Sequence, residues 1–263
     1  MKSSKKFGNF IKALGIFLFL VLIVSLIIVI SQRNNYILKG IQDNYDAGNT
    51  QKAKDQVEEY LYSNPNSSTA WLLYGQINLD DGFFNIAMDN FLKALAIDPS
   101  SYKAYTNLAI VQEYQNNFNQ AEVYVNKAIT LNNSYASAYS NLSIIKLFQK
   151  DFSKSIELGE KAYSIENNNS TIAANLAISY HYDGLNEKRD SMYEKASQLG
   201  YKNLDGLKEI FKTQAPQINN ISKLNVKTNK PFTDEIINKS KEYAKLQDQN
   251  IKNYINNSIN TNF

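Results

Sequence analysis

The chain has 263 residues, and its 28 Lys and Arg against 25 Asp and Glu give a net charge of +3, concentrated in lysines near the N-terminus, which does not indicate a nucleic-acid partner. Its ten glycines and four prolines supply little of the turn chemistry that an all-β fold needs, so helix is the default prediction. The absence of cysteine excludes disulfides, thiolate metal sites and a cysteine nucleophile.

The first predicted element is an apolar helix close to the N-terminus. Residues 1–12 hold four lysines and no acidic residue, and residues 13–30 hold no charge at all. Eighteen helical residues rise roughly 27 Å, about the thickness of a bilayer's hydrocarbon core. We therefore predict a transmembrane signal anchor at residues 13–32. A cleaved secretory signal is the alternative, but the segment ends in Ile27-Ile28-Val29-Ile30 rather than in a small-x-small cleavage site.

The lysines before the span predict its orientation. By the positive-inside rule the basic segment 1–12 stays in the cytoplasm and everything after about residue 31 is translocated. The predicted location is therefore a plasma membrane, expected to be bacterial, which the chain crosses once. The main domain then lies on the extracytoplasmic side.

Residues 68–101 carry a spaced pattern of small and large residues. Small residues are needed where two helices of a hairpin cross closely, large ones between neighbouring hairpins, and a proline where a helix must stop. Steps of 34 residues place the same template on frames 34–67, 102–135, 136–169 and 170–203. In the clearest frame the pattern consists of Trp71, Tyr74, Gly75, Gly82, Phe84, Ala87, Phe91, Ala94 and Pro99.

These residue types at these offsets resemble the tetratricopeptide repeat (TPR), which has a 34-residue period. The resemblance covers about residues 34–203. It implies an all-α fold, in which the N-terminal transmembrane helix is followed by a TPR superhelix (α-solenoid) of about five helical hairpins plus a capping helix. The frames also depart from the pattern, since Ser155 and Gly159 replace the usual residues in frame 136–169 and Arg189 replaces a small crossing residue in frame 170–203.

Three further segments are predicted after the repeats. Residues 204–213 have apolar residues at helical spacing and are expected to form the capping helix, with Asp205 as its N-cap. Residues 214–231 are polar and poorly periodic, which predicts a linker. Residues 232–258 are predicted to be a last helix or tail that docks back on the solenoid, pairs with another copy or folds only on binding.

No arrangement of residues in the sequence predicts an enzyme. His181 is the single histidine, and neither a Gly-rich phosphate loop nor a nucleophile elbow is present. Acidic pairs such as Asp80-Asp81 are interpreted as solubilising charge on helical hairpins. We therefore expect no catalytic residue, no metal, no cofactor and no small-molecule substrate.

The resemblance instead implies a peptide-binding groove lined by the first helix of each hairpin. The position before the Leu of the family's NLG or NLA motif is asparagine in three consecutive frames, which resembles the asparagine ladder by which some TPR superhelices hold an extended peptide. An aliphatic and an aromatic stripe run beside it, although these residues can instead pack between hairpins. The predicted groove residues are Asn107, Asn141, Asn175, Ile110, Ile144, Ile178, Tyr114, Phe148 and Tyr182.

The expected function is that of a non-enzymatic, membrane-anchored scaffold that binds a protein or peptide partner. A structural assembly subunit of a membrane-associated complex is the alternative, in which the repeats hold a folded neighbour permanently. The two-carboxylate clamp of chaperone-tail receptors needs several basic residues on the groove face. Of these only Lys103 is present, so recognition of Hsp70 or Hsp90 tails is not expected.

Overall fold

The computed structural model describes the backbone of residues 2–216 and the side chains of residues 14–216. Every regular element in this range is an α-helix, which confirms the predicted all-α class. The predicted C-terminal helix at 232–258 and most of the predicted linker lie outside the described residues. The helices are α1 (Lys2–Asp46), α2 (Thr50–Ser63), α3 (Ser68–Asp80), α4 (Phe84–Ile97), α5 (Tyr102–Tyr114), α6 (Phe118–Leu131), α7 (Ala136–Phe148), α8 (Phe152–Ile165), α9 (Ser170–Tyr182), α10 (Asn186–Gln198) and α11 (Leu204–Ile210).

The chain divides into two compact units, of which the first ends at Tyr60. Its helix α1 runs without a break through the apolar segment and on to Asp46. Within the described residues, Leu14–Asp46 is the stretch long and apolar enough to cross a membrane. Its Leu18, Leu22 and Ile27 are each more than half exposed. Length and composition fit a membrane anchor or a signal sequence.

The last turns of α1 form a hairpin with α2. The turn between them places Gly48 at a φ of +83°, in the left-handed region that glycine enters without strain. Asn44 Nδ2 on α1 donates a hydrogen bond of 3.0 Å to Gln56 Oε1 on α2. Ile41 and Val57 are buried.

The second unit begins at Leu61, and its described part consists of four hairpins and one terminal helix. The hairpins pair α3 with α4, α5 with α6, α7 with α8 and α9 with α10. Their first helices begin at Ser68, Tyr102, Ala136 and Ser170, which are 34 residues apart. The described chain therefore repeats one helical hairpin at the period typical of a TPR solenoid.

Small buried residues let the two helices of a hairpin approach each other. In the first hairpin of this unit, a Cβ added to Gly75 would lie 2.6 Å from Phe91 Cδ1, so only glycine fits beside that ring. In the third, a Cβ on Gly159 would lie 2.9 Å from Leu176 Cδ1 of the next hairpin. The glycine that departs from the sequence pattern thus makes room for a neighbouring leucine.

Ser155 departs from the pattern for a different reason, because it belongs to a buried cluster of three serines. Its Oγ lies 2.8 Å from Ser179 Oγ and 3.2 Å from Ser143 Oγ. Ser143 Oγ also donates to the Ser155 carbonyl oxygen at 2.8 Å, and Ser179 Oγ donates to the Asn175 carbonyl oxygen at 3.2 Å. Each hydroxyl has partners, so the cluster avoids the cost of an unpaired buried donor.

Each of the four hairpins turns through one residue with a positive φ. These residues are Gly82 at 79°, Asn116 at 60°, Lys150 at 65° and Gly184 at 76°. Two of the four turns thus use a residue other than glycine. Asn tolerates the left-handed region better than a long aliphatic side chain does, so Lys150 is the more strained of the two.

Helix α11 packs on the last hairpin as the predicted capping helix. Its Leu207 and Ile210 share a hydrophobic cluster with Ile178 of α9 and Ala196 of α10. The N-cap is Asn203, whose Oδ1 accepts from the Gly206 N–H at 3.1 Å. The prediction of Asp205 as N-cap is therefore wrong, because the helix begins before it.

Arg189, which stands at a position where a small residue was expected, packs towards this cap. Its guanidinium lies 5.3 Å from the ring centroid of Phe211, directly after α11. Nη1 donates to Asn186 Oδ1 at 2.7 Å and Nε donates to Asp190 Oδ1 at 2.7 Å. The terminal hairpin therefore uses a cation–π contact where the inner hairpins use a close helix crossing.

Candidate protein-binding groove

The first helices of the four hairpins lie side by side in the second unit. Helix α3 contacts α5, α5 contacts α7 and α7 contacts α9. The second helices α4, α6 and α8 each contact the first helix of the next hairpin. In a helical solenoid, such a row of first helices forms the concave binding surface. We call the surface formed by α3, α5, α7 and α9 the groove.

The three predicted ladder asparagines occupy equivalent positions on neighbouring helices of the groove. Asn107 on α5 is 9% exposed, Asn175 on α9 is 2% exposed, and Asn141 between them on α7 is half-buried. Asn175 Nδ2 donates to Ser140 Oγ on α7 at 3.0 Å. Asn175 Oδ1 and Asn107 Nδ2 have no hydrogen-bond partner among the described residues. The ladder thus keeps one buried acceptor and one buried donor unpaired.

The predicted aliphatic stripe is mostly part of the core. Ile144 is 1% exposed and Ile178 is 0% exposed, and both belong to the hydrophobic cluster that includes Leu207 and Ile210 of α11. Ile110 is only partly buried and packs at the edge of the cluster around Phe91. In this conformation Ile110 is the position of the stripe with surface left for a ligand.

The predicted aromatic stripe is held by contacts within the solenoid. Tyr114 stacks on Phe84 with ring centroids 4.5 Å apart, and Phe148 stacks on Phe118 at 5.1 Å. Tyr182 Oη lies 2.7 Å from Thr213 Oγ1, while burial raises the pKa of the Tyr182 phenol. The rings are therefore fixed before any ligand arrives, and only Phe148 and Tyr182 keep partial exposure.

Glu113 is a groove residue that the sequence analysis missed. It follows Ile110 by three residues and therefore lies on the same face of α5. It is 6% exposed, and burial raises its pKa to about 8. Its Oε1 has no hydrogen-bond partner within residues 14–216. The sequence signal that could have identified Glu113 was its spacing of three residues from the predicted groove residue Ile110.

Two carboxyl groups, one on α3 and one on α5, affect the phenol of Tyr114. The pKa of the Tyr114 phenol is raised mainly by burial, and further by the charges of Glu113 and Asp80. Glu113 itself is buried, and its pKa of about 8 leaves it mostly protonated at neutral pH. The unpaired Oε1 of Glu113 therefore offers a hydrogen bond to a ligand at this end of the groove.

The opposite end of the groove contacts the residues that follow α11. His181 Nε2 donates to the carbonyl oxygen of Thr213 at 2.8 Å. This hydrogen bond lies next to the one between Tyr182 Oη and Thr213 Oγ1. His181 is thereby engaged in a structural hydrogen bond. In the described part of the chain no group of three His, Asp or Glu side chains is placed to hold a metal ion.

Comparisons with known proteins agree with this architecture. Residues 90–123 match the family model of the tetratricopeptide repeat. No curated protein matches the chain. The crystal structure of TTC0263, a thermophilic TPR protein of Thermus thermophilus, superposes with a TM-score of 0.60 at 22% identity and covers 68% of this chain and 97% of that one. The structure of Pseudomonas aeruginosa pilF superposes with a TM-score of 0.54 at 19% identity, over 80% of this chain and 97% of that one.

Similarities at this level of identity establish the fold. Solenoids of this kind generally act as non-enzymatic scaffolds that bind protein or peptide partners. The chain is therefore an all-α protein with the architecture of a TPR solenoid, in which residues 90–123 match the repeat family itself.

Proposed function

We propose that this protein is a membrane-anchored, non-enzymatic scaffold that holds an extended segment of a protein partner in the groove. The observation that carries the proposal is the pair of unpaired ladder atoms, the donor Asn107 Nδ2 and the acceptor Asn175 Oδ1. An extended backbone offers one acceptor and one donor per residue, so it can satisfy both. Because these contacts use only the backbone, they are indifferent to the partner's side chains.

The spacing of the helices fits such a ligand. Neighbouring packed helices lie about 8–10 Å apart. Three residues of an extended chain span about 10 Å. A peptide crossing α5, α7 and α9 would therefore meet one ladder asparagine with about every third residue, and Ile110 would lie beside it.

The same proposal assigns a role to each predicted segment of the chain. Residues 13–32 anchor the protein, the basic segment 1–12 remains in the cytoplasm, and the repeats at 34–203 hold the partner outside it. The exposed apolar surface of α1 supports anchoring, because a water-soluble fold rarely leaves so large an apolar surface open. The four preceding lysines support the orientation.

Site-specific photocrosslinking of the full chain in its native membrane tests the groove. We expect a photoreactive amino acid at Asn141, in the groove, to crosslink a partner, and one at Glu157, on the outer helix α8, to crosslink none. Combined Asn107→Ala and Asn175→Ala substitutions should reduce capture by at least about tenfold, through two lost hydrogen bonds. The matched control replaces Asn119 and Asn126, exposed on α6.

The outcomes separate the scaffold from its alternatives. Undiminished capture after the ladder substitutions would contradict the groove mechanism. A stoichiometric complex that survives high salt and does not depend on the ladder would favour an assembly subunit. Protease added to protoplasts should digest the solenoid, and its protection would mean that the orientation is wrong.

A further inference from the structure

We infer that the C-terminal segment, residues 217–263, docks in the groove of its own chain, so that a partner must displace it. The inference adds regulation to the proposed function and rests on it for that consequence. The docking itself is carried by the groove's unpaired polar atoms and by the place where the described chain ends.

The chain reaches the groove immediately before this segment starts. Thr213 is held at both its carbonyl and its hydroxyl by His181 and Tyr182, the last two residues of α9. The described residues end three positions later, at Pro216. The last described residues before this segment therefore contact the groove at its α9 end.

The segment is long enough to cross the groove. The four helices of the row span about 30 Å from α3 to α9, at about 8–10 Å per step. A helix over 232–258, as predicted from sequence, would measure about 40 Å. The residues before it, 217–231, add up to about 50 Å when extended. Length therefore allows the segment to reach α3.

Its composition matches what the groove lacks. The groove has buried, unpaired atoms at Asn107 Nδ2, Glu113 Oε1 and Asn175 Oδ1. Residues 217–263 contain eleven asparagines, whose amides donate and accept. An occupant rich in amides can pair donors, acceptors and a carboxyl group alike.

Apolar patterning favours the same occupant. The predicted helix has an apolar stripe, which the partly exposed Ile110 and Phe148 can contact. This stripe consists of Ile236, Ile237, Tyr243, Ala244, Ile251, Tyr254 and Ile255.

Covalent attachment makes even weak docking effective. A ligand tethered by a linker of this length is present at an effective concentration of about a millimolar. A segment with a dissociation constant of about 0.1 mM would then occupy its own groove about nine-tenths of the time. A partner competes against this occupancy, so its apparent affinity falls by about tenfold.

Distances between spin labels in the full chain test the docking. Because the chain has no cysteine, Asn141→Cys and Gln249→Cys together give two unique attachment sites, one in the groove and one in the C-terminal segment. We expect a defined distance population below about 30 Å, the span of the groove. A spin-label pair at Glu157 on α8 and Gln249 should give longer distances than the pair at Asn141 and Gln249. The difference should be about 10 Å, the thickness of one helix layer. A single broad distribution for both pairs would overturn the inference.

Substitutions within the segment test its specificity without altering the solenoid. Ile251→Asp places a charge in the apolar stripe and should lower the ratio of docked to undocked chains by about tenfold. Asn253→Asp adds the same charge off the stripe and should leave the ratio within about twofold. Equal effects of the two variants would contradict docking through the stripe.

Two further measurements separate the alternatives. Dilution of the labelled protein with a tenfold excess of unlabelled chain should leave the short distances unchanged, and their loss would show exchange between copies instead. If the segment docks but photocrosslinking at Asn141 captures no partner even with Ile251→Asp, the docking stands and the scaffold proposal fails. If a partner is captured and the label distances are broad, the scaffold stands and the docking fails.

Discussion

At Glu113 a carboxyl group is buried on α5 without a hydrogen-bond partner among the described residues. Burial favours its neutral form, so its folded pKa of about 8 lies above the ordinary value of 4.5. Below about pH 4.5 both the folded and the unfolded chain hold the proton. Between pH 4.5 and 8 the unfolded chain releases it while the folded chain keeps it, so the contribution of this residue to stability declines as the pH rises.

We predict that Glu113→Gln removes this decline. The free energy of unfolding of the unsubstituted protein should fall between pH 5 and pH 8 by more than that of the variant, by an amount on the order of a few kcal/mol. Urea unfolding at both pH values measures the difference. Glu122→Gln is the control, because a hydrogen bond from Lys146 lowers the pKa of Glu122, whose contribution is therefore lost towards acid pH. If the free energy of unfolding fell by the same amount in the unsubstituted protein and in Glu113→Gln, the prediction would be wrong.

Gly75 tests how closely two helices approach. A Cβ there would overlap the ring of the fully buried Phe91, so we predict that Gly75→Ala destabilises the protein by about 1–3 kcal/mol through overpacking. Gly40→Ala is the matched control. Its Cβ would meet nothing within 4 Å, and alanine should stabilise α1 by about 0.5–1 kcal/mol. Urea unfolding midpoints of both variants measure the effects, and a neutral Gly75→Ala would refute the overlap.

Single residues of the groove were predictable only in part. The equivalent positions of Asn107, Asn141 and Asn175 follow from the repeat period, because one helix face recurs in every hairpin. The burial of Ile144 and Ile178 does not follow from it, because it depends on how the hairpins and α11 pack together. The bond from Asn175 to Ser140 was missed for a similar reason, since it joins side chains 35 residues apart.

At the scale of elements, the sequence predicts the helices better than their ends. A period of 34 residues with small residues at fixed offsets is enough to place each hairpin. Helix ends depend on single hydrogen bonds, as α11 illustrates. Asn203 and Asp205 are both good N-cap residues, and only the start of the helix decides between them.

The equivalent turns provide a prediction at this scale. Lys150 holds a φ of 65° where Gly82 and Gly184 hold similar values. We predict that Lys150→Gly stabilises the protein by about 1 kcal/mol, because it relieves a left-handed conformation that L-residues disfavour. Gly184→Ala, which introduces such strain, should destabilise it by a similar amount. Thermal unfolding of both variants measures the effects, and destabilisation by Lys150→Gly or stabilisation by Gly184→Ala would contradict the prediction.

At the scale of the whole molecule, the predicted anchor decides where the protein acts. The apolar segment of α1 should favour insertion by about 5–9 kcal/mol, and each lysine near its centre opposes insertion by about 2.5–3.5 kcal/mol. We therefore predict that Leu20→Lys combined with Ile27→Lys releases the full chain from membranes. Leu20→Val with Ile27→Val should remain bound.

Extraction of membranes with alkaline carbonate measures this. The unsubstituted chain and the valine control should stay in the membrane pellet, and the lysine variant should appear in the supernatant. Recovery of the unsubstituted chain in the supernatant would mean that the apolar segment does not anchor the protein. Proteolytic cleavage at the end of the apolar segment would be visible as a shorter chain.

The continuity of α1 has a geometric consequence. Each residue of an α-helix advances 1.5 Å and turns 100° about the axis. One alanine inserted after Arg33 would therefore swing the buried face of Leu38 and Ile41 by about 100° relative to the apolar segment. Seven inserted residues would restore that azimuth to within about 20° while lengthening the helix by about 10 Å. The residue count between Arg33 and Leu38 thus sets the rotational phase of the first hairpin, whereas its height above the apolar segment can change by whole turns.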